Sequence, residues 1–349
     1  MHTLVAQIIR MLPLPSLMIA AVICVPAAYA QQVDTSEWVC EYCPFKSGYH
    51  ADYEVGVTGV SDDSAYFGDA SGYDEDGAYA NIDGEGAYTS DNQQLSWTLE
   101  DLGLDSRFAE LKGGNQGAYD YRVAYREIPQ RKFFTTRSVF RQSGPNTLSL
   151  PSDWVRAPLT TGFTQLNSSL SGQNIESDRS LLELGGRYLK SKNLTFSAVF
   201  RRHERDGVDV TSGSFFTQSS LLPRPFDYST DEVELGISYL RDAGYVSVGW
   251  RMSEFENDYS AFRWENPFAS GTGADFGTLS QPPDNEFQQL SLSGAYQFEK
   301  FQTVLGFSAA MGELEQNELF LPYTSNTSLS PGSLPRSSLN GDVDTTNLA

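Results

Sequence analysis

The stretch Glu232-Val233-Glu234-Leu235-Gly236-Ile237-Ser238-Tyr239 alternates polar and apolar side chains. Arg241-Asp242-Ala243-Gly244 then reverses the chain, and Val246-Ser247-Val248-Gly249-Trp250-Arg251-Met252 resumes the alternation. Side chains on a strand point to opposite faces with period two, so each arm of this hairpin is apolar on one side and polar on the other. A sheet made of such arms suits a barrel wall with lipid outside and water inside.

The same rhythm extends in both directions. Leu182, Leu184 and Tyr188 alternate with Glu183, Gly185 and Arg187, and Lys190 to Asn193 turn the chain into Leu194, Phe196, Ala198 and Phe200. Further on, Leu290, Leu292, Tyr296 and Phe298 alternate with Gln289, Ser291, Ser293 and Gln297, and Glu299-Lys300 turn into Phe301, Leu305, Phe307 and Met311. Between these hairpins the pattern lapses over 202–230 and 256–286, which read as long loops rich in Gly, Ser and Pro. Short turns at one end and long loops at the other are the expected arrangement of an outer-membrane barrel, with the turns periplasmic.

The earlier part fits the same plan. Strands are expected from Tyr53, over 79–89 and 95–99, and over 108–112 and 119–127, with a polar, Pro-containing stretch over 128–178 read as a long loop or an inward plug. The expectation is an all-β, antiparallel, up-and-down transmembrane barrel with roughly 11–13 strands of the length a tilted membrane strand needs. No strand is expected after Met311, so 51–311 form the wall and 312–349 a loop, and the wall reads as the N-terminal portion of a larger, incomplete barrel whose last strand would otherwise be an open edge.

Residues 1–30 read as a secretory signal: Arg10, an apolar run from Met11 to Ile23, and the small-residue cleavage site Ala28-Tyr29-Ala30. Pro13, Pro15 and Pro26 interrupt that run, which argues against a membrane helix. The chain is 40% hydrophobic and 13% aromatic, with 30 glycines and 18 tyrosines, a composition suited to a wall one residue thick with aromatic belts. Its net charge of −21 argues against a nucleic-acid partner. Export to the outer membrane, with lipid as the surrounding partner, is therefore expected.

Chemistry-bearing residues are few. Segment 31–50 holds Cys40 and Cys43 in Cys-Glu-Tyr-Cys, but Pro44 stands where c-type haem attachment needs His. In an oxidising periplasm the pair reads as a small-loop disulfide closing a turn, with a redox or partner-docking role as the alternative. Beyond the signal the histidines are His50 and His203, and no serine stands at a readable spacing from them, so no catalytic site is expected. The acids Asp62, Asp63, Asp69, Asp74, Glu75 and Asp76 lack EF-hand spacing and read as a solvated loop, with no metal site. Arg187, Arg201, Glu232, Glu234, Arg251, Gln289 and Gln297 fall on polar strand faces and are the candidate lumen-facing residues.

Several segments carry a family resemblance. Trp38-Val39-Cys40-Glu41-Tyr42-Cys43-Pro44-Phe45, Tyr125-Arg126-Glu127-Ile128-Pro129, Phe226-Asp227-Tyr228-Ser229-Thr230-Asp231-Glu232, Leu321-Pro322-Tyr323-Thr324, Leu334-Pro335-Arg336-Ser337-Ser338-Leu339 and Gly341-Asp342-Val343-Asp344-Thr345 resemble the decahaem-associated outer-membrane proteins of the MtrB/PioB family. The resemblance implies a non-enzymatic barrel that sheathes a periplasmic decahaem c-type cytochrome and supports electron transfer to extracellular acceptors, with an extracellular multihaem cytochrome as a further partner. It implies that haem is carried by the partner and none is bound by this chain. A diffusion porin, with 128–178 as its constriction, is the alternative reading.

Overall fold

Backbone pairing unites most of the chain into one antiparallel sheet. In the computed structural model the described residues are 47–215, 217–269, 274–322, 324, 326, 328–329 and 336–349. The expected signal peptide and Cys40 and Cys43 lie outside them. Sixteen strands are present among these residues: β1 (Gly48–Val60), β2 (Gly77–Thr89), β3 (Gln93–Glu100), β4 (Phe108–Asn115), β5 (Tyr119–Ser138), β6 (Arg141–Gly144), β7 (Thr147–Ser149), β8 (Ser171–Leu189), β9 (Leu194–Phe215), β10 (Gln218–Arg241), β11 (Gly244–Asn257), β12 (Ala261–Glu265), β13 (Phe276–Ser280), β14 (Asn285–Phe298), β15 (Thr303–Gln316) and β16 (Gly341–Leu348).

Twelve of them form the wall in the order β1-β2-β3-β4-β5-β8-β9-β10-β11-β14-β15-β16. Neighbours in the wall follow one another along the chain apart from the two excursions that hold β6, β7, β12 and β13, which is an up-and-down meander. The wall is open, with β1 and β16 at its edges. The hairpin that opens the sequence reading pairs in the expected register, Val233 with Met252 and Leu235 with Trp250. Glu299–Phe301 form a single 3₁₀ turn, and Gln302 takes up the left-handed conformation, φ 48°, that lets the chain enter β15.

Connections at one end span two to four residues, as at 90–92, 116–118, 190–193, 242–243 and 299–302. At the other end the structure departs from the sequence expectation in three places. Residues 202–230 are not a loop: β9 and β10 continue as a hairpin that pairs without a break from Leu194↔Tyr239 to Phe215↔Gln218. Pro223 and Pro225 sit in β10 opposite Val210 and Val208, where β10 has no second neighbour, so the missing N–H groups break no ladder. Segments 128–178 and 256–286 are not loose either, since β6, β7, β12 and β13 assemble into a second sheet in the order β13-β12-β7-β6.

That sheet packs on the projecting hairpin. Phe140, Leu148, Phe215, Leu222, Phe262 and Trp264 form a buried cluster drawn from both excursions and the hairpin. Each such side chain taken out of water contributes about 1.5–3 kcal/mol, which offsets the ordering of long connections. The third departure is at the end of the wall: β15 runs past Met311 to Gln316, and within 312–349 the strand β16 pairs with it from Gln316↔Gly341 to Ala309↔Leu348.

Candidate functional site: the charged face of the sheet

Residues facing each other across an antiparallel pair share a face, so the registers trace both faces of the wall. One face carries Leu184, Phe196, Leu235, Ile237, Val248, Leu290 and Leu292, all strand side chains in an apolar band. Tyr49, Tyr88, Tyr119, Tyr188, Tyr239 and Tyr296 lie on it toward the short-turn end, as an interfacial aromatic girdle does.

The other face is charged. Glu183 faces Arg201, Arg201 faces Glu232, Glu234 faces Arg251, Arg251 faces Gln289, and Arg187 and Gln297 keep the same parity on β8 and β14. All seven candidate residues on the strands therefore share one face.

Four of them, Arg201, Glu232, Glu234 and Arg251, belong to a ladder of ion pairs running across six strands. Lys112 reaches Glu110 at 2.5 Å, Arg122 reaches Glu110 at 2.6 Å and also pairs with Glu183. Arg201 takes up the other oxygen of Glu183 at 3.0 Å and meets Glu234 at 3.1 Å and Glu232 at 3.6 Å. Arg251 closes the row on Glu232 at 3.1 Å. Arg187 stands apart, bound to Asp120 through both Nε and Nη2. Glu110 and Glu183 are the more buried members, 11% and 16% exposed against 42% for Arg122, so the guanidinium groups cover the carboxylates.

Exposed ion pairs are individually worth about 0–1 kcal/mol, and the value here lies in the network: each charge meets at least one of opposite sign, and the wall stays polar without accumulating a field. Lys112, Glu110, Arg122 and Glu183 were not singled out from the sequence as members of this site. The period-two pattern around Arg122 and Glu183 contains that information, but only the register between distant strands brings them together.

The remaining candidates fall elsewhere. His50 lies on the charged face of β1, and His203 on that face of β9, above the ladder. In the acidic connection after β1, Asp74 binds the Arg131 guanidinium at 2.6 Å and Asp69 accepts the Arg131 backbone N–H at 3.1 Å. Asp63 accepts the N–H of Asp76 at 2.8 Å. These carboxylates hold the connection in place, and no group of three or more potential metal ligands occurs among the described residues.

Comparison with known proteins adds the family. Residues 60–349 match the outer membrane beta-barrel porin family MtrB/PioB. The chain belongs to the MtrB/PioB family. One curated relative in sequence is the outer membrane protein MtrB of Shewanella baltica (strain OS185), 27% identical over 293 residues, which are 83% of this chain and 42% of that protein. The chain thus spans less than half the length of this relative. Among solved structures, OmpT of Vibrio cholerae is similar over 85% of this chain and 74% of its own, at 11% identity and a TM-score of 0.34. The toluene transporter TbuX of Ralstonia pickettii is similar over 78% and 85%, at 11% identity and a TM-score of 0.22. As an MtrB/PioB protein the chain is an outer-membrane β-barrel protein, and its apolar band is the lipid-facing surface.

Proposed function

We propose that the charged face lines the lumen of a non-enzymatic sheath around a multihaem c-type cytochrome, supporting electron transfer across the outer membrane to extracellular acceptors. In this reading the short turns are periplasmic, the long connections external, and haem belongs to the occupant.

The observation that carries it is the self-neutralised ladder from Lys112 to Arg251. A wall that satisfies its own charges can lie against a protein without leaving buried carboxylates or guanidiniums unpaired, which would cost several kcal/mol each. The hydrocarbon layer insulates, so an electron carrier crossing it needs such a polar sleeve. Membership of the MtrB/PioB family supports the same reading.

A diffusion porin is the second reading, favoured by the polarity of the same face and by the porin description of the family. Affinity purification of the tagged chain from membranes, followed by haem staining and Soret absorption, separates the two. A multihaem cytochrome retained at stoichiometric level supports the sheath. Open-pore conductance in planar bilayers without any retained haem protein rejects it in favour of the porin.

A further inference from the structure

Beyond the ladder, toward the long-connection end, the charged face changes character. Arg179 of β8 lies directly opposite Arg205 of β9, and Arg126 of β5, facing Leu181, stands one same-face step nearer the ladder. Pairing is unbroken through these positions, from Tyr119↔Tyr188 to Arg131↔Glu176 and from Ser177↔Gly207 to Leu189↔Thr195, so the alternation holds and the three share the ladder's face. Directly opposed side chains have Cβ atoms about 4.5–5.5 Å apart, and like charges placed so repel.

No carboxylate among the described residues pairs with these arginines to offset that repulsion. Every arginine of the ladder meets a carboxylate, whereas Arg126, Arg179 and Arg205 form no ion pair among the described residues. The carboxylates at the same height, Asp178, Asp206 and Asp227, alternate to the opposite face. In a chain with 45 acidic and 24 basic residues, a face bearing only cations is a local inversion.

Two of the arginines are also held flat. Arg126 stacks on Phe108 at 4.3 Å and Arg205 on Phe226 at 4.9 Å, and the Phe226 ring is in turn stacked on Tyr228. Arg205 Nε is buried with no hydrogen-bond partner. A guanidinium pinned by its face keeps its N–H edge for a planar, bidentate acceptor, and a carboxylate has that shape.

We propose that Arg126, Arg179 and Arg205 form a carboxylate-binding site at the external mouth of the lumen, which engages Asp and Glu side chains on an acidic surface of the seated protein. The proposal rests on the sheath reading for its partner, though not for its chemistry. An incoming carboxylate bridges Arg179 and Arg205 and turns their repulsion into attraction.

The test uses the full chain purified in detergent at low salt and a fluorescein-labelled hexaglutamate peptide, with hexaglutamine as the neutral control. Hexaglutamate is expected to bind and hexaglutamine is not. The double variant Arg179→Gln/Arg205→Gln should weaken hexaglutamate binding by about tenfold or more, as expected for loss of charge-assisted bidentate contacts. Lys190→Gln/Lys192→Gln, the same charge change at the short-turn end, should leave it within about twofold, because that turn lies far from the site along strands rising about 3.3 Å per residue. Equal loss in both variants, or no binding by the unaltered chain, overturns the site.

Folding is checked in the same samples. Removing both members of a repelling pair should not lower the melting temperature, and hexaglutamate should raise it for the unaltered chain and not for the double variant. A melting temperature raised equally in both rejects the site. A chain that binds hexaglutamate through these arginines and retains no cytochrome keeps the site and rejects the sheath. Equal cytochrome retention with and without the arginine pair does the reverse.

Discussion

Arg131 ties three separate parts of the chain to one point. Its side chain is only 5% exposed and lies 2.6 Å from Asp74, 2.7 Å from Asp178, 3.1 Å from Asp105 and 3.6 Å from Glu176. Asp74 comes from the β1–β2 connection, Asp105 from the β3–β4 connection, and the other two from β8. Removing Arg131 leaves the Asp74 carboxylate, 13% exposed, without its cation, and an unpaired buried charge costs about 3–5 kcal/mol. Arg131→Met should therefore free residues 61–76 and 101–107 while the strands persist. Hydrogen exchange resolved by peptide checks it: protection should fall in those two connections and not in β9 or β10.

Acid should strengthen the same region. Burial pushes the Glu176 carboxyl up, against the pull of Arg131, and burial followed by the charge of Asp178 pushes Asp206 up. Burial followed by Asp258 does the same to Asp227. A carboxyl raised in the folded state contributes stability that is full below its ordinary value and lost as pH rises through the folded one. Thermal stability of the outer region should thus rise as pH falls from neutral toward the ordinary Asp and Glu values of about 4. Asp206→Asn should raise the melting temperature at the higher pH and flatten the dependence. An unchanged slope in that variant contradicts the assignment.

At the scale of elements, the projecting hairpin of β9 and β10 is where sequence and structure part. Within the band, an apolar environment on one side and a polar one on the other impose period two, and Val233 to Met252 show it openly. Past the band both sides of a strand are wet or covered by another sheet, so residues 207–227 satisfy their backbone by pairing yet carry no alternation to read. Their side-chain clues are indirect. Trp264 of β12 fits because Gly213 and Gly277 leave room for it: a Cβ at either glycine would stand 2.2 Å from the indole Cζ2. Gly277→Ala should expel the indole and loosen the outer sheet at a cost of about 1–3 kcal/mol. Faster protease cleavage within 261–280, with the melting of the wall unchanged, is the expected result. The ladder was half legible for a related reason: its Arg and Glu residues are visible one strand at a time, and their pairing depends on registers between segments such as β5 and β8, 61 residues apart at Arg122 and Glu183. Strand β16 is not legible because its two large apolar side chains, Val343 and Leu348, stand five residues apart and so fall on opposite faces, with no alternation between them.

For the whole molecule, the assignment of lipid to one face and a polar lumen to the other makes the sharpest demand on neighbouring residues. Leu292 and Ser293 are adjacent on β14 and point to opposite sides. Leu292 is paired with Val248 on the apolar face, and Ser293 with Ser247 and Ser308 on the charged one. An arginine on the lipid face near the membrane midplane costs about 2–4 kcal/mol, whereas in a polar lumen it is solvated and joins a surface already built of guanidinium groups. Leu292→Arg should lower the amount of folded protein in the outer-membrane fraction severalfold, while Ser293→Arg should leave it near the level of the unaltered chain. The two variants have the same added charge, the same strand and the same distance from each turn to within one residue, so folding propensity and net charge cannot separate them. Only the side of the wall can, and equal losses from both would mean that the charged face does not enclose water or a polar occupant.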